Sequence, residues 1–228
     1  MPTIYVPVGG ARLAGELTIP PGAEAIVLFA HGSGSSRFSG RNQFVARALE
    51  RRSLATLLID LLTPEEEALD QRTGHLRFNI PLLATRLVAI VGWLRLQEKT
   101  AELPTGLFGA STGGGAALRA AATCPGEIFA VVSRGGRPDL AGGALPDVKA
   151  PALLIVGGED GPVVALNRNA MPRMRGKVSL EIIRGATHLF EEPGALERVA
   201  ALAADWFVRH VRSASPIAND RSGQHHAS

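Results

Sequence analysis

Residues 109–115 read GASTGGG and place Ser111 inside a G-x-S-x-G pattern. The apolar run TGLFGA contains the start of this pattern and the helix-forming stretch AALRAAAT follows it, which predicts a strand-to-helix junction. A serine on such a turn has strained backbone and projects as a nucleophile at the carboxyl end of a sheet. We expect Gly113, Gly114 and Gly115 to give clearance beneath the turn, with a helix after them. The alternatives are a glycine-rich turn that only packs and a phosphate-binding loop.

A serine nucleophile needs a base and an acid, and two later residues can supply them. His188 follows a predicted strand in RGATHLFEEPG, and Asp160 follows another in VGGEDGPVV. The order serine, acid, histidine is that of the α/β-hydrolase arrangement, and spacings of 49 and 28 residues each leave room for a strand–helix–strand unit. The pattern predicts a Ser111–His188–Asp160 triad. The alternative for His188 is an exposed loop histidine, and Glu159 is the rival acid.

The sequence HGSGSS (31–36) follows a third apolar run and predicts a glycine-rich turn that exposes backbone N–H groups. We assign the oxyanion hole of the predicted site to the N–H groups of Ser33 and Thr112, the residue after the nucleophile. His31 is expected to stabilise this turn rather than to do chemistry. The alternative is that His31 and Ser33 both serve only the turn.

Other chemistry-bearing residues give weaker signals. His75 and Arg77 lie in TGHLRF, where a solvated loop is favoured over the wall of a pocket. Cys124 lies 13 residues after Ser111 and is expected inside a helix as a small packed hydrophobe. No set of residues with metal-ligand spacing is visible, and the predicted chemistry needs no cofactor and no metal.

The elements that must position these residues are predicted from hydrophobic patterning. Continuous apolar strands alternate with helical patterns, which indicates a mostly parallel twisted sheet with helices on both faces and about eight strands. Thr63, Pro64 and Glu66 form a helix-start signal, and a helix is predicted from Asn79 to about Lys99. The strands are predicted at TIYVPV and RLAGELTIP, joined by Gly9-Gly10, and at AIVLFA, LATLLID, TGLFGA, IFAVVSRGG, PALLIVGG and VSLEIIRG.

Length and composition limit the class of protein. The 228 residues are 46% hydrophobic and 20% charged, which is typical of one folded domain. We expect this domain over residues 1–212, its last helix running from about Gly194 to Arg212, and a disordered tail over 213–228. The net charge of +3 comes from scattered basic and acidic residues, which speaks against a nucleic-acid partner. A single cysteine and the lack of a signal peptide or an unbroken apolar span predict a cytoplasmic protein without a membrane partner.

With these residues in hand, the chain resembles the dienelactone hydrolase-like group of α/β-hydrolases over residues 3–212. The similarity rests on HGSG, GASTGG, GGEDGPV and GATHLFEEPG. The resemblance implies the α/β-hydrolase fold, and the 16 or so residues between Arg134 and Pro151 are too few for a large cap domain. Dienelactone hydrolases proper carry a cysteine at the elbow, whereas this chain has Ser111, so the resemblance implies a serine esterase rather than a dienelactone hydrolase.

The sequence therefore predicts a serine hydrolase that cleaves a carboxylic ester or a related small acyl substrate through an acyl-enzyme. A thioesterase or short-peptide hydrolase with the same triad is an alternative. A ligand-binding or regulatory module on an inactive hydrolase scaffold is an alternative from a different class, and the intact triad argues against it. The sequence names neither the substrate nor the oligomeric state.

Overall fold

A computed structural model describes residues 3–214 of the chain, and the tail predicted over 213–228 lies outside these residues from 215 onward. The chain folds as β1 (Thr3–Val8), β2 (Ala11–Thr18), β3 (Ala25–Ala30), α1 (Gly40–Glu50), β4 (Leu54–Ile59), α2 (Pro64–Thr73), α3 (Ile80–Leu94), β5 (Thr105–Ala110), α4 (Thr112–Thr123), β6 (Ile128–Arg134), β7 (Ala152–Gly157), α5 (Gly161–Ala170), β8 (Val178–Ile183) and α6 (Ala195–Ala214). Short 3-10 helical segments cover Pro138–Asp147 and Met171–Arg173.

The eight strands form one sheet in the order β1-β2-β4-β3-β5-β6-β7-β8. β1 pairs with β2, and β2 with β4, in antiparallel register; all other neighbours are parallel. Gly9 and Gly10 both have positive φ and close the β1–β2 hairpin, as a two-residue turn of type I′ requires. The predicted mostly parallel sheet with two leading strands is confirmed, and the carboxyl ends of the parallel strands lie along one edge.

Helices cover both faces of this sheet, which explains why the central strands are apolar on both sides. One buried cluster contains side chains of α3 and α4, including Leu87 and Leu118. The other contains side chains of α1 and α6, including Leu49 and Phe207. β3, β4, β5 and β7 are buried at every position, whereas the edge strand β8 is only partly buried. The buried sheet therefore holds the loops that follow its strands in defined positions.

Helix-start signals in the sequence are borne out, while two helix limits differ from expectation. Thr63 accepts from the Glu66 N–H and the Glu66 carboxylate accepts from the Thr63 N–H, as a capping box predicts. The helix predicted from Asn79 to about Lys99 ends at Leu94, because the buried Thr100 donates its hydroxyl hydrogen to the Leu94 carbonyl at 2.6 Å and turns the chain.

The helix predicted after Gly115 begins at Thr112, so the three glycines lie within its first turn. Their close packing against neighbouring backbone outweighs their low helix propensity.

The segment between β6 and β7 adds no cap domain to the sheet. Its 3-10 turns are interrupted at Gly142, which has φ 60°, and the segment packs against α4. Within residues 3–214, no helix combines the length and the apolar character that crossing a membrane demands.

Candidate active site

Ser111 lies at the sharp turn between β5 and α4. Its φ of 51° and ψ of −120° are unusual for a residue other than glycine. The turn is held by its own backbone: the Ser111 N–H donates to the Arg134 carbonyl at 3.1 Å, and the Ser111 carbonyl accepts from the N–H groups of Gly114 and Arg137 at 3.0 and 3.1 Å. Strain that is fixed in this way by neighbouring strands is a mark of functional positions.

The glycines around Ser111 are required by close packing of backbone on backbone. A Cβ atom on Gly109 would lie 2.4 Å from the Gly113 carbonyl oxygen. A Cβ atom on Gly113 would lie 2.2 Å from the Ala30 carbonyl oxygen and 2.6 Å from that of His31. Since real Cβ atoms do not approach backbone so closely, these sites exclude any side chain. The triple glycine therefore brings α4 against the ends of β3 and β5.

Replacing Gly113 with alanine is expected to lower the free energy of unfolding by about 3 kcal/mol or more, because backbone must move to admit the methyl group. Gly92 offers the matched control, since it is also helical and a Cβ there has nothing within 4 Å. Gly92→Ala is expected to raise stability by up to about 1 kcal/mol. Urea unfolding of both variants measures this difference, and equal effects would refute the packing argument.

Asp160 and His188 come together from the ends of two neighbouring strands. Asp160 follows β7 and is the N-cap residue of α5, and His188 lies in the loop between β8 and α6. The His188 Nδ1 atom is 2.6 Å from the Asp160 Oδ2 atom. The Asp160 side chain is 14% exposed and that of His188 is 40% exposed. The carboxylate of the pair is thus largely buried, while the imidazole remains accessible, as a general base requires.

Glu159, the rival acid, does not pair with His188 in the structure. It is exposed, and its backbone N–H donates to the Ala186 carbonyl at 3.0 Å. Among residues 3–214, the ionic partner of the His188 ring is Asp160.

Gly135 connects the His188 loop with the Ser111 turn. It follows Arg134, the residue that accepts from the Ser111 N–H, and its φ is 52°. A Cβ atom on Gly135 would lie 3.4 Å from His188 Cε1. The imidazole therefore packs on the segment beside Ser111. No hydrogen bond between the Ser111 hydroxyl and His188 forms within the described residues, and such bonds are often long until substrate binds.

The carboxylate of Glu192, which the sequence analysis did not single out, closes the loop that contains His188. The Thr187 N–H and hydroxyl both donate to Glu192 Oε1, at 3.0 and 2.6 Å. The Thr187 hydroxyl is the main cause that holds the pKa of Glu192 below its ordinary value. Phe190, between them, is buried and has φ 56°. The motif THLFEE contains these residues, but only the folded loop reveals the contact.

The HGSG turn packs directly on the serine turn. A Cβ atom on Gly32 would lie 3.1 Å from the Ser111 Cβ atom. The Ser33 N–H donates to Thr112 Oγ1 at 2.9 Å, so this predicted oxyanion donor is directed to a hydroxyl in the structure. The hydroxyl of Thr112 remains able to donate in turn, because its oxygen accepts this bond through a lone pair. His31 stabilises the turn, since its Nε2 atom accepts a hydrogen bond from the Leu61 N–H at 3.1 Å.

The structure corrects the interpretation of Arg77. This residue lies in the predicted loop, but its side chain is not solvated: it forms an ion pair with the fully buried Asp70 and lines a small cavity beside Ser33 and Thr112. His75 is exposed, as expected for a loop.

Cys124 is not inside a helix but is the C-cap residue of α4, because the chain leaves the helical conformation there. It is half-buried, its thiol contacts the Ala120 carbonyl at 3.1 Å, and burial raises its pKa.

Two grooves open beside the HGSG turn. The larger, of about 700 Å³, lies between residues 34–47 and 190–197. The smaller, of about 430 Å³, is lined by Tyr5, Arg12 and Asp60 among others. Residues 34–36 line both grooves, so each groove begins next to Ser33. No cluster of three or more metal-ligating side chains occurs in residues 3–214.

Sequence comparisons identify relatives that are about twice as long as the matched region. No protein-family model matches the chain. Two proteins of Mycobacterium tuberculosis, from strains CDC 1551 and H37Rv, are 55% identical over 213 residues, which is 93% of this chain and 47% of each relative. They carry the provisional name phosphoribosyl transferase. The chain thus spans about half the length of the curated relatives it matches.

Solved structures give a match over nearly the whole of both chains. Dienelactone hydrolase from Anabaena variabilis is 60% identical with a TM-score of 0.90, over 91% of this chain and 96% of that one. Est1E from Butyrivibrio proteoclasticus is 15% identical with a TM-score of 0.78, over 92% of this chain and 99% of that one, and this likeness concerns the fold alone.

Proposed function

Because the chain belongs to the dienelactone hydrolase-like group of α/β-hydrolases, we propose that it is a serine hydrolase that cleaves a carboxylic ester through an acyl-enzyme. The single observation that carries the proposal is the His188–Asp160 pair, with 2.6 Å between Nδ1 and Oδ2, at the sheet edge where Ser111 occupies its strained turn. This arrangement supports a reaction in which Ser111 is the nucleophile, His188 the base and Asp160 the acid.

The proposed reaction assigns one role to each group. His188 removes the proton of the Ser111 hydroxyl as its oxygen attacks the ester carbonyl carbon, and Asp160 orients the ring and stabilises the imidazolium. The imidazolium then donates the proton to the leaving alcohol. Water, activated by the same imidazole, releases the acid and restores the serine.

The negative charge on the tetrahedral intermediate would lie at the start of α4. The backbone N–H of Thr112 is the first of that helix, where unpaired donors and the helix dipole favour an anion. The Ser33 N–H supports this site either directly or through the Thr112 hydroxyl that it contacts.

The name of the Mycobacterium tuberculosis relatives does not carry over to this proposal. It describes proteins of about twice the matched length, and a 213-residue match does not say which part of them the name concerns. The local geometry at Ser111, Asp160 and His188 supports hydrolysis. A thioester or a short peptide is an alternative substrate for the same three residues.

We expect an open site that accepts short acyl esters, because the segment between β6 and β7 forms only short turns and the grooves beside Ser33 are open. Turnover of soluble p-nitrophenyl esters is expected to fall as the acyl chain lengthens from acetate to laurate. A thioester series and a short-peptide amide series test the alternative substrates. A jump in activity on long-chain emulsions above their solubility limit would contradict the open site.

A further inference from the structure

Arg134 carries a buried positive charge, and no acidic side chain among residues 3–214 pairs with it. It is the last residue of β6 and is 8% exposed. Its Nε and NH1 atoms are buried and have no hydrogen-bond partner. Burial, and then the charge of Arg41, lower the pKa of Arg134 to about 10, so the guanidinium remains protonated at neutral pH. An unpaired buried cation is costly, which calls for a partner that is not part of the fold.

The guanidinium lies behind the wall of the larger groove. Its carbon is 5.9 Å from the centre of the Phe190 ring, and Phe190 lines the groove. Arg41, the other neighbour that acts on it, also lines the groove and has a buried Nε atom without a partner. Two guanidinium groups with unused donors therefore lie near one another, that of Arg41 in the wall of the groove and that of Arg134 behind Phe190.

The groove is divided into a basic and an acidic side. The α1 side presents hydroxyl groups, the start of α1 and basic side chains, namely Ser35, Ser36, Ser39, Gly40, Arg41 and Arg47. The α6 side presents carboxylates. Of these, Glu192 is bound to Thr187, while Glu191 contacts Arg41 at 3.0 Å but is 65% exposed and thus holds it weakly. An incoming anion can displace that contact on the α1 side.

The groove also adjoins the proposed catalytic centre. Gly34, at one end, follows the predicted oxyanion donor Ser33, and Phe190 comes two residues after His188. The carbonyl of Arg134 itself accepts from the Ser111 N–H. A molecule with one end in the groove can therefore have its other end at the serine.

We propose that the α1 side of this groove, with Arg41 and Arg134, binds a phosphate group, and that the ester substrate carries such a group away from its scissile bond. Guanidinium groups pair with phosphate oxygens through two parallel hydrogen bonds, and the serine hydroxyls and the free N–H groups at the start of α1 supply further donors. The substrate part of this inference rests on the proposed hydrolase function, whereas phosphate binding does not.

Inorganic phosphate is the probe for the site, measured by calorimetry and by thermal unfolding at constant ionic strength, with chloride as the reference anion. Wild type is expected to bind phosphate and to gain melting temperature with it. Arg134→Met is expected to bind at least about tenfold more weakly and, without phosphate, to melt higher than wild type, because an unpaired charge is gone. Arg168→Met makes the same chemical change at an exposed position of α5 and is expected to match wild type in both.

The proposed phosphate site would be refuted if wild type did not bind phosphate, or if Arg134→Met bound it with unchanged affinity. A lower melting temperature of phosphate-free Arg134→Met would overturn it too, because the guanidinium would then serve the fold. Should Arg134→Met fail to express in folded form, Arg41→Met tests the same site, and unchanged phosphate affinity in that folded variant overturns it.

Hydrolysis of 2-acetoxyethyl phosphate, compared with 2-acetoxyethanol, tests the substrate part. Wild type is expected to show at least about tenfold higher kcat/KM on the phosphorylated ester, and Arg134→Met to lose that preference. Equal kcat/KM on both esters in an active wild type would overturn the substrate part and leave the hydrolase standing. Phosphate binding without Ser111-dependent turnover of either ester would overturn the hydrolase and leave the phosphate site standing.

Discussion

Replacing Ser111 with alanine is expected to lower kcat on a soluble acetate ester by about 10⁶, the loss seen when a triad nucleophile is removed. The reason is that the hydroxyl oxygen forms the covalent bond of the acyl-enzyme, and no other described group can replace it at the turn between β5 and α4. Hydrolysis of p-nitrophenyl acetate at neutral pH, with the uncatalysed rate subtracted, measures this effect.

The control for this variant is Ser179→Ala, a serine-to-alanine change in the edge strand β8. It is expected to leave kcat within about twofold of wild type. Both variants must show the circular dichroism and melting behaviour of a folded protein. Retention of wild-type hydrolysis by folded Ser111→Ala would refute the nucleophile.

Replacing Asp160 with asparagine is expected to lower kcat by about 10⁴, as loss of the orienting acid does in other serine triads. The carboxylate lies 2.6 Å from His188 Nδ1, so it fixes the ring and leaves Nε2 free to take the serine proton. An amide in its place no longer stabilises the imidazolium and permits the wrong tautomer. The change should therefore reduce kcat much more than it changes KM.

Glu159→Gln provides the matched control, because it removes an adjacent carboxylate by the same chemical change. Its side chain is exposed and is not the acid paired with His188, so kcat is expected to change by less than about tenfold, or 1.4 kcal/mol in the barrier. Both variants should be compared on one ester over a range of pH. If Glu159→Gln lost its activity while Asp160→Asn kept it, Glu159 rather than Asp160 would be the acid of the triad.

Patterns with a local physical cause were predictable from the sequence. β3 and β5 have the predicted limits, because a run of six mostly apolar residues with turn residues at both ends has the length and composition of a strand that is buried on both faces of a parallel sheet. The Thr63 capping box involves residues three apart and needs no tertiary contact. The meeting of Asp160 and His188 follows from chain order, since both residues come after neighbouring parallel strands.

Features that depend on contacts far apart in the chain were not predictable. The start of α4 at Thr112 rather than after Gly115 depends on backbone of β3, against which Gly113 packs. The Ser33 N–H meets the Thr112 hydroxyl across 79 residues. The ion pair of Arg77 joins residues only seven apart, but the sequence does not show that its partner Asp70 becomes fully buried once the helices pack. The isolation of Arg134 likewise exists only once its neighbours are packed.

The most direct test of the central claim is labelling of the full chain with a fluorophosphonate, followed by mass spectrometry of its peptides. The proposed function predicts one phosphonyl group per chain on Ser111, complete loss of labelling in Ser111→Ala, and at least about a hundredfold slower labelling in Asp160→Asn. A wild-type protein that hydrolyses the ester while Ser111 stays unlabelled, or labelling that persists at another residue in Ser111→Ala, would contradict it.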